Sequence, residues 1–528
     1  MAGGGAAPAP SLPQAVAQPP RSRVHDPATT TAHLLTAPAG GRAAGMTRPP
    51  PGRGTTKAGS MLHTPSWTAQ ESFDVAVIGA GVVGCAVARR FALEGARVVV
   101  IEKGSDILSG ASKANSAILH TGFDAPPGSL ELELVKAGRA EYLAIREHLG
   151  LSLVETGALV CAWNPAEAEK LEAIAAQGRE NGVDGLRLLP AAAARVTLPG
   201  LAAGLVAALE VAGEHIIDPW SAPLAYITQA VALGTVFLRD TELIEGAFAG
   251  DWTLRTSAGN IRAAAVVNAA GLYGDIVDQR LGLPAAFEIR PRKGQFVVLD
   301  KAAFPHVPRI VLPVPTEITK GIVVCPTAFG NVLVGPTAEE QEDRVRATVE
   351  TATLRALLRR AAEIVPALAG MPVTAVYAGL RPASDSKAYR VFSHPERRAI
   401  TLGGIRSTGL SAALGLAQEA VRRHAGFGLP AGSPRPAPEV RLPNLTETRP
   451  RDWQQPDHGE MVCHCEMVTR REIEAAFDSL VPPGDFGGLR RRTRAAMGRC
   501  QGFHCQARLA EMTKGRLSTP LAIGEDLA

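Results

Sequence analysis

The chain has 528 residues, 46% of them hydrophobic and 20% charged, with a formal net charge of +4. That is ordinary globular usage, with length enough for two or three domains with real cores. So slight a charge gives nucleic-acid binding no electrostatic support, and no apolar run is long enough to span a bilayer.

Residues 1–70 hold eleven prolines, six Lys/Arg and one acidic residue, Asp26. Such a segment buries too little apolar surface to offset its ordering entropy, so residues 1–71 are expected to be a disordered extension. It has no apolar core of a secretory signal. It reads either as an acid-poor transit peptide or as sequence upstream of a start at Met46 or Met61. The missing amphipathic period favours the second.

Order is expected from Phe73. Phe73–Ile78 reads as a strand, Gly79–Gly84 as a turn, Cys85–Glu94 as a helix and Arg97–Ile101 as a second strand, together a βαβ unit. Further on, a helix is expected at Ala166–Glu180, with short strands at Thr235–Leu238 and Trp252–Thr256. Strands are expected at Gly294–Leu299, Gly321–Cys325, Asn331–Val334 and 399–403. Helices follow at Thr348–Glu363 and Ser411–His424. Residues 428–459 hold seven prolines and read as an extended linker before a compact module from Met461.

Gly79-Ala80-Gly81-Val82-Val83-Gly84 is a GxGxxG placed after a strand and opening a helix, with Glu102-Lys103 ending the next strand. Gly79 permits the tight turn, Gly81 the approach of a pyrophosphate to the backbone, and Gly84 close packing of helix on strand. The helix N-terminus faces the negative charge, and Glu102 accepts from ribose hydroxyls. The small-residue loop Gly110–Ser116, with Ser112, Asn115 and Ser116, suits close approach by a flavin. Val266–Asn268 leads into Ala269, Ala270 and Gly271. Gly403-Gly404-Ile405-Arg406-Ser407-Thr408-Gly409-Leu410 enters a late helix whose N-terminus suits a negatively charged reduced flavin. In that order these elements resemble the FAD-dependent D-amino-acid-oxidase-like superfamily. The resemblance implies an α/β fold: an FAD-binding Rossmann-like domain of the glutathione-reductase type, interwoven with an antiparallel-sheet substrate domain. The FAD-binding segments are expected at about 72–150, 208–285 and 378–427, and the substrate domain at 151–207 and 286–377.

Of the seven cysteines, Cys85, Cys161 and Cys325 are scattered and expected to be buried and inert. Cys463, Cys465, Cys500 and Cys505 form CxC…CxxxxC, which suits one metal centre in a reducing compartment, zinc or iron–sulfur. CHCE at 463–466 with RRTRAAMGRCQGFHC at 491–505 resembles the bacterioferritin-associated-ferredoxin-like domain. That resemblance implies a small helical domain at 461–515, ahead of a tail at 516–528, with a 2Fe–2S cluster on the four cysteines. Ala496 departs from the glycine that this family's loop leads one to expect. Arg490, Arg491, Arg492 and Arg494 read as a solvated face, as an offset to cluster charge, or as a contact for an acidic partner.

Flavin fold and tail together resemble the anaerobic glycerol-3-phosphate dehydrogenase A-subunit group over residues 72–510. The similarity rests on SKANSAILHTGFDAPPGSL at 112–130, PRKGQFVVLD at 291–300, GNVLVGPTAEE at 330–340, AGLRPASDS at 378–386 and GIRSTGLSAA at 404–413. The first and third are also similar to L-2-hydroxyglutarate dehydrogenases. The implied reaction is oxidation of a small anionic 2-hydroxy compound, glycerol 3-phosphate first, with electrons passed through the cluster to an acceptor protein or partner subunit. Histidine suits the base, His120 first and His215 second, with a structural role for His120 as the other reading. For the anion, Arg381 leads, followed by Arg292 and Lys293 before a turn at Gly294-Gln295, and by Arg406, each also readable as a surface ion pair. Two other classes stay open: an amine or imino-acid oxidoreductase, and a non-catalytic electron-transfer subunit. The expected location is cytoplasmic, peripheral to a membrane where a partner carries it.

No attachment site for a flavin is identifiable, so acid precipitation should release FAD into a yellow supernatant. Colour retained in the pellet would contradict this.

Overall fold

The structure is a computed structural model that describes residues 72–315, 321–430 and 432–521. The expected disorder of residues 1–71, the two readings of that segment, and residues 522–528 of the expected tail lie outside the described residues.

Strand β1 (Ser72–Ile78) is the centre of an eight-stranded sheet. Its run Val75–Ile78 is buried throughout, as a parallel strand covered on both faces must be. Val75 stands opposite Val98 of β2 (Val98–Ile101) on one side and Ala265 of the strand Gly259–Asn268 on the other. Val236–Leu238 continues the parallel array beyond β2, and Ala399–Gly403 continues it beyond Gly259–Asn268. Arg390–His394 closes that edge antiparallel, while Asp251–Thr256 pairs antiparallel with Gly259–Asn268 and Leu243–Ala249 pairs antiparallel with Asp251–Thr256. Helix α1 (Val82–Leu93) buries Cys85, Val87, Phe91 and Ala92 between this sheet and the helices Ser221–Ala232 and Gly409–Ala425.

A second helix against Gly409–Ala425, α2 (Leu130–Leu149), is absent from the sequence reading. Its signals are conventional. Ser129 Oγ accepts the Leu132 N–H, Glu131 and Glu133 stand in the first turn, and Gly150 ends it in the left-handed region at φ +69°.

The second sheet has nine strands from two chain segments. Ala158–Ala162, Leu186–Pro190 and Ala207–Val211 come from the first. Arg292–Leu299, Ile310–Pro313, Val323–Pro326, Val332–Gly335, Glu339–Glu340 and Val373–Arg381 come from the second. It departs from the expected antiparallel sheet at one place: Ile310–Pro313 runs parallel to Ala158–Ala162, where the two segments meet. The expected crossing points also move. Residues 208 and 378 fall inside Ala207–Val211 and Val373–Arg381, strands that this sheet holds entire. The expected turn at Gly294-Gln295 is continuous strand. A two-stranded pair, Ile118–Leu119 with His215–Ile216, lies outside both large sheets.

The proline-rich stretch after Gly428 is extended but fastened to the body. Arg435 N–H donates to Leu93 O (2.7 Å), Leu442 N–H to Leu149 O (3.1 Å) and Glu447 N–H to Ala328 O (3.0 Å). The module beyond it pairs Met461–Cys463 with Val468–Thr469 and packs three short helices, Arg470–Phe477, Phe486–Thr493 and Gln506–Thr513. Val462, Val468, Ile473, Leu489 and Leu509 form its core.

Arg491 and Arg492 of the basic run are not a solvated face: they join the module to the loop that follows β2, while Arg490 and Arg494 hydrogen-bond within the module. Arg492 is buried against the buried Asp106, with Nη1–Oδ2 at 2.7 Å and Nη2–Oδ1 at 2.8 Å. Arg491 Nη2 donates to Ile107 O, Arg494 Nε to Glu466 Oε2 and Arg490 Nη2 to Ala496 O. Arg494 also lies over the Phe329 ring, 4.0 Å from its centroid.

Ala496 sits at φ +60°, which accounts for the glycine expected there. An L-residue in the left-handed region costs roughly 1–2 kcal/mol, which glycine avoids at the expense of unfolded-state entropy. Ala496→Gly should therefore stabilise the module by roughly 0.5–1 kcal/mol, read as a rise in its thermal transition. An unchanged or lower transition would contradict the strain.

Candidate active site

A cavity of about 600 Å³ lies between the two large sheets, with walls from both. One end is built on the β1–α1 turn. Gly79 takes φ +102°, and a Cβ there would fall 2.8 Å from Ala269 O; a Cβ on Gly84 would fall 1.9 Å from Gly79 O. Gly81 and Val82 line the cavity, whereas Ala80 and Gly84 stand behind it. Glu102 accepts the Ala80 N–H at Oε2 (2.7 Å) and the Gly104 N–H at Oε1 (2.8 Å). Burial pushes its carboxyl up, and those amides and Lys103 pull against the rise. Lys103 Nζ lies 3.0 Å from the centroid of the Tyr273 ring, and both residues line the wall with Ala270 and Gly271.

The loop after Ser109 closes the middle of the cavity. Ser112 Oγ accepts the Val82 N–H (3.1 Å) at the start of α1. Asn115 braces the loop, donating to Ser112 O and accepting the Ala117 N–H. Ser112, Asn115 and Ser116 all line the wall, as do Arg406, Ser407, Gly409 and Leu410. Gly404 and Thr408 do not: Gly404 turns the chain at φ +63°, and Thr408 Oγ1 is bonded to Glu131 and to the Tyr389 hydroxyl. The residues therefore fit a dinucleotide. The N-terminus of α1 would face a pyrophosphate, and the buried Glu102 stands one strand away for a ribose.

The other end carries positive charge. Arg381 lines the cavity, and Nη2 donates to Thr337 O at 2.8 Å. No carboxylate pairs with it among the described residues. Burial, then the neighbouring Arg292 and Arg406, pull its pKa down to about 10. Gly294 leaves the space, because a Cβ there would lie 2.5 Å from Arg381 Nη2. Arg406 lines the same wall; burial and Arg292 lower its pKa, while Glu131 and Glu340 oppose the shift. Arg292 stands opposite Arg381 in the sheet, outside the lining, and pairs with Glu340. Lys293 is also outside it, held by Glu339 at 2.9 Å and Glu350 at 2.8 Å, so its charge is already answered.

His120 lies just outside the wall. Its N–H donates to Ser411 Oγ (2.9 Å), next in the chain after the wall residues Gly409 and Leu410. Its Nδ1 is 2.9 Å from Glu214 Oε2, and Glu214 Oε1 accepts from both the N–H and the hydroxyl of Thr121. Burial acts to raise the Glu214 carboxyl, yet His120 and Thr121 outweigh it and hold it below the usual range. A carboxylate there makes Nδ1–H the donor and puts the imidazole lone pair on Nε2. The sequence reading, which placed His120 first and His215 second, missed Glu214; the Nδ1 of His215 is buried without a hydrogen-bond partner among the described residues, and burial lowers its pKa.

In the module the thiols stand in two pairs, Cys463 with Cys505 and Cys465 with Cys500, each within hydrogen-bonding reach. The N–H of His504, ahead of the Cys465 thiol and the N–H groups of Gly502 and Phe503, lowers the Cys500 pKa against the effect of burial. No three ligand-type side chains among the described residues gather closely enough for a single ion. The four thiols are the donor set that a 2Fe–2S cluster would take. Cys85, Cys161 and Cys325 are buried, and burial raises all three thiols.

The module reaches the cavity wall. Burial, then Arg491, lowers the pKa of the wall residue Lys113. Trp220 Nε1 donates to Lys113 O (3.2 Å) and its ring stacks on Phe329, 5.3 Å between centroids, on the ring that Arg494 covers.

Comparison with known proteins agrees with this geometry. The FAD dependent oxidoreductase family (DAO) matches residues 74–423, and the BFD-like [2Fe-2S] binding domain matches residues 461–514. Glycerol 3-phosphate dehydrogenase of Caloramator mitchellensis is 30% identical over 85% of this chain and 95% of its own. The A-subunit of the anaerobic glycerol-3-phosphate dehydrogenase of Escherichia coli K12 is 28% identical over 83% of this chain and 88% of its own. The structure of dithionite-reduced L-alpha-glycerophosphate oxidase of Mycoplasma pneumoniae with FAD bound superposes at a TM-score of 0.67, with 26% identity, covering 71% of this chain and 100% of that one. The chain thus belongs to the FAD dependent oxidoreductase family and carries a BFD-like 2Fe–2S domain at its C-terminal end.

Proposed function

We propose that the chain oxidises the 2-hydroxyl of glycerol 3-phosphate. The observation that carries the substrate class is Arg381: a positive charge in the cavity wall, without a carboxylate partner among the described residues, beside Arg406 and backed by Arg292. A phosphate takes two parallel N–H donors from such a fork and relieves the repulsion between the guanidinium groups. Lys293, already paired twice, has no place in this role.

Bound FAD supplies the hydride acceptor and the 2Fe–2S cluster a one-electron carrier; the rest is protein work. His120 Nε2 takes the hydroxyl proton. Glu214 holds Nδ1, fixes the tautomer and stabilises the ring once it is charged. Arg381 and Arg406 hold the anion and so orient the carbon. Ser411, by holding the His120 backbone, ties the base to the helix that carries wall residues Gly409 and Leu410. The E. coli relative is named as one subunit of its enzyme. Electrons from this chain are accordingly proposed to leave through the module to a partner, with the chain cytoplasmic and peripheral to a membrane through that partner. Among the described residues no helix is long and apolar enough to cross a membrane.

Stopped-flow reduction by glycerol 3-phosphate separates the roles. Arg381→Ala loses a charge-assisted contact of about 1.5–3 kcal/mol, so KM should rise about ten-fold or more. His120→Ala should slow flavin reduction by about 10²–10⁴-fold. Unchanged reduction in His120→Ala would move the base elsewhere. Wild-type flavin that is reduced by an amino acid and not by glycerol 3-phosphate would replace this reading with amine oxidation.

A further inference from the structure

The segment from Glu102 to Ser116 has two sides. Glu102, Lys103, Gly104 and Ser112 line the cavity. Ser105, Asp106 and Ile107 are bonded to the cysteine module. Asp106, fully buried, takes both Arg492 donors at 2.7 and 2.8 Å and the Gly484 N–H at 3.1 Å. Ser105 Oγ donates to Asp485 Oδ2 at 2.6 Å, and Arg491 Nη2 to Ile107 O at 3.1 Å. The fit is close: a Cβ on Gly488 would fall 1.6 Å from Asp106 Oδ2. The same loop is anchored to the β1–α1 turn, through the Leu108 N–H on Ala80 O (3.0 Å) and the Ala80 N–H on Glu102.

We propose that Arg492 is a positioning residue for the flavin site, and that FAD binding and metal loading of the module are thermodynamically coupled through the Asp106–Arg492 pair. The pair is buried on both sides, so loosening the module leaves Asp106 as an uncompensated buried charge in the loop that carries Glu102. Metal bound across Cys463, Cys465, Cys500 and Cys505 would tie the strand Met461–Cys463 to the segment that follows the helix Phe486–Thr493, so iron removal is expected to loosen the helix that bears Arg492. Linkage is reciprocal: what iron does for FAD affinity, FAD does for iron retention. The proposal needs both cofactors and is independent of the substrate.

The test is the FAD dissociation constant, read from flavin fluorescence, in the full chain with and without iron. Iron removal from wild type should weaken FAD binding by about ten-fold or more, within the usual range of allosteric coupling. Arg492→Gln should weaken FAD to a similar extent in the iron-loaded protein and abolish the dependence on iron; Arg492→Lys should restore part of both. Ser105→Ala breaks one bond of the same joint without burying a charge and should weaken FAD by a few-fold, which keeps the idea testable if Arg492→Gln does not fold. FAD affinity unchanged by iron removal in wild type, or still as iron-dependent in Arg492→Gln as in wild type, would overturn the proposal.

Discussion

Arg381 holds its charge in a wall where water is partly excluded, with a carbonyl as its hydrogen-bond partner and two more guanidinium groups nearby. Such an arrangement raises the cost of the charged form, and its pKa falls accordingly. The three arginines differ in how far their charge is answered. Arg292 has Glu340 in contact, Arg406 feels Glu131 and Glu340 at a distance, and Arg381 has no acidic group among the causes that shift it. Compensation thus declines toward the cavity, and the least compensated charge is where an anion gains most. The sheet enforces this, since Arg292 and Arg381 are registered partners on neighbouring strands and Gly294 makes room for the guanidinium.

The opposite end of the cavity uses the reverse arrangement. Glu102 is buried where a ribose is expected; burial raises its pKa, and two backbone amides that hydrogen-bond it oppose the rise. The module completes this end from outside. Its helix Phe486–Thr493 packs on the loop that Glu102 begins, and the stack Trp220–Phe329–Arg494 continues to Glu466, beside Cys465. Among the described residues the flavin site and the cysteine module pack against each other, and the proline-rich stretch between them is itself hydrogen-bonded along the body.

What could be read in advance follows from the range of each interaction. The β1–α1–β2 unit is local, and its apolar run, three glycines and terminal Glu102 lie in one stretch. The four cysteines are local in the same sense. Helix α2 was equally legible in Ser129, the early glutamates and Gly150, and was overlooked, although it brings Glu131 to Thr408. Glu214 was not legible. It meets His120 across 94 residues through a pair of two-residue strands too short to leave a pattern. The arginine run misled for the same reason, because the carboxylate that buries Arg492 lies 386 residues away. Lys293 read as an anion ligand because its partners Glu339 and Glu350 come from a later strand and the start of a later helix.

Inorganic phosphate offers the most direct test of an anion site at Arg381, since it carries the charge of the proposed substrate and no oxidisable hydroxyl. Titrated into the FAD-loaded wild-type protein, it should perturb the flavin visible spectrum saturably, and Arg381→Met should lose the response while retaining flavin. A wild-type spectrum indifferent to phosphate, or an equal response in Arg381→Met, would contradict the account.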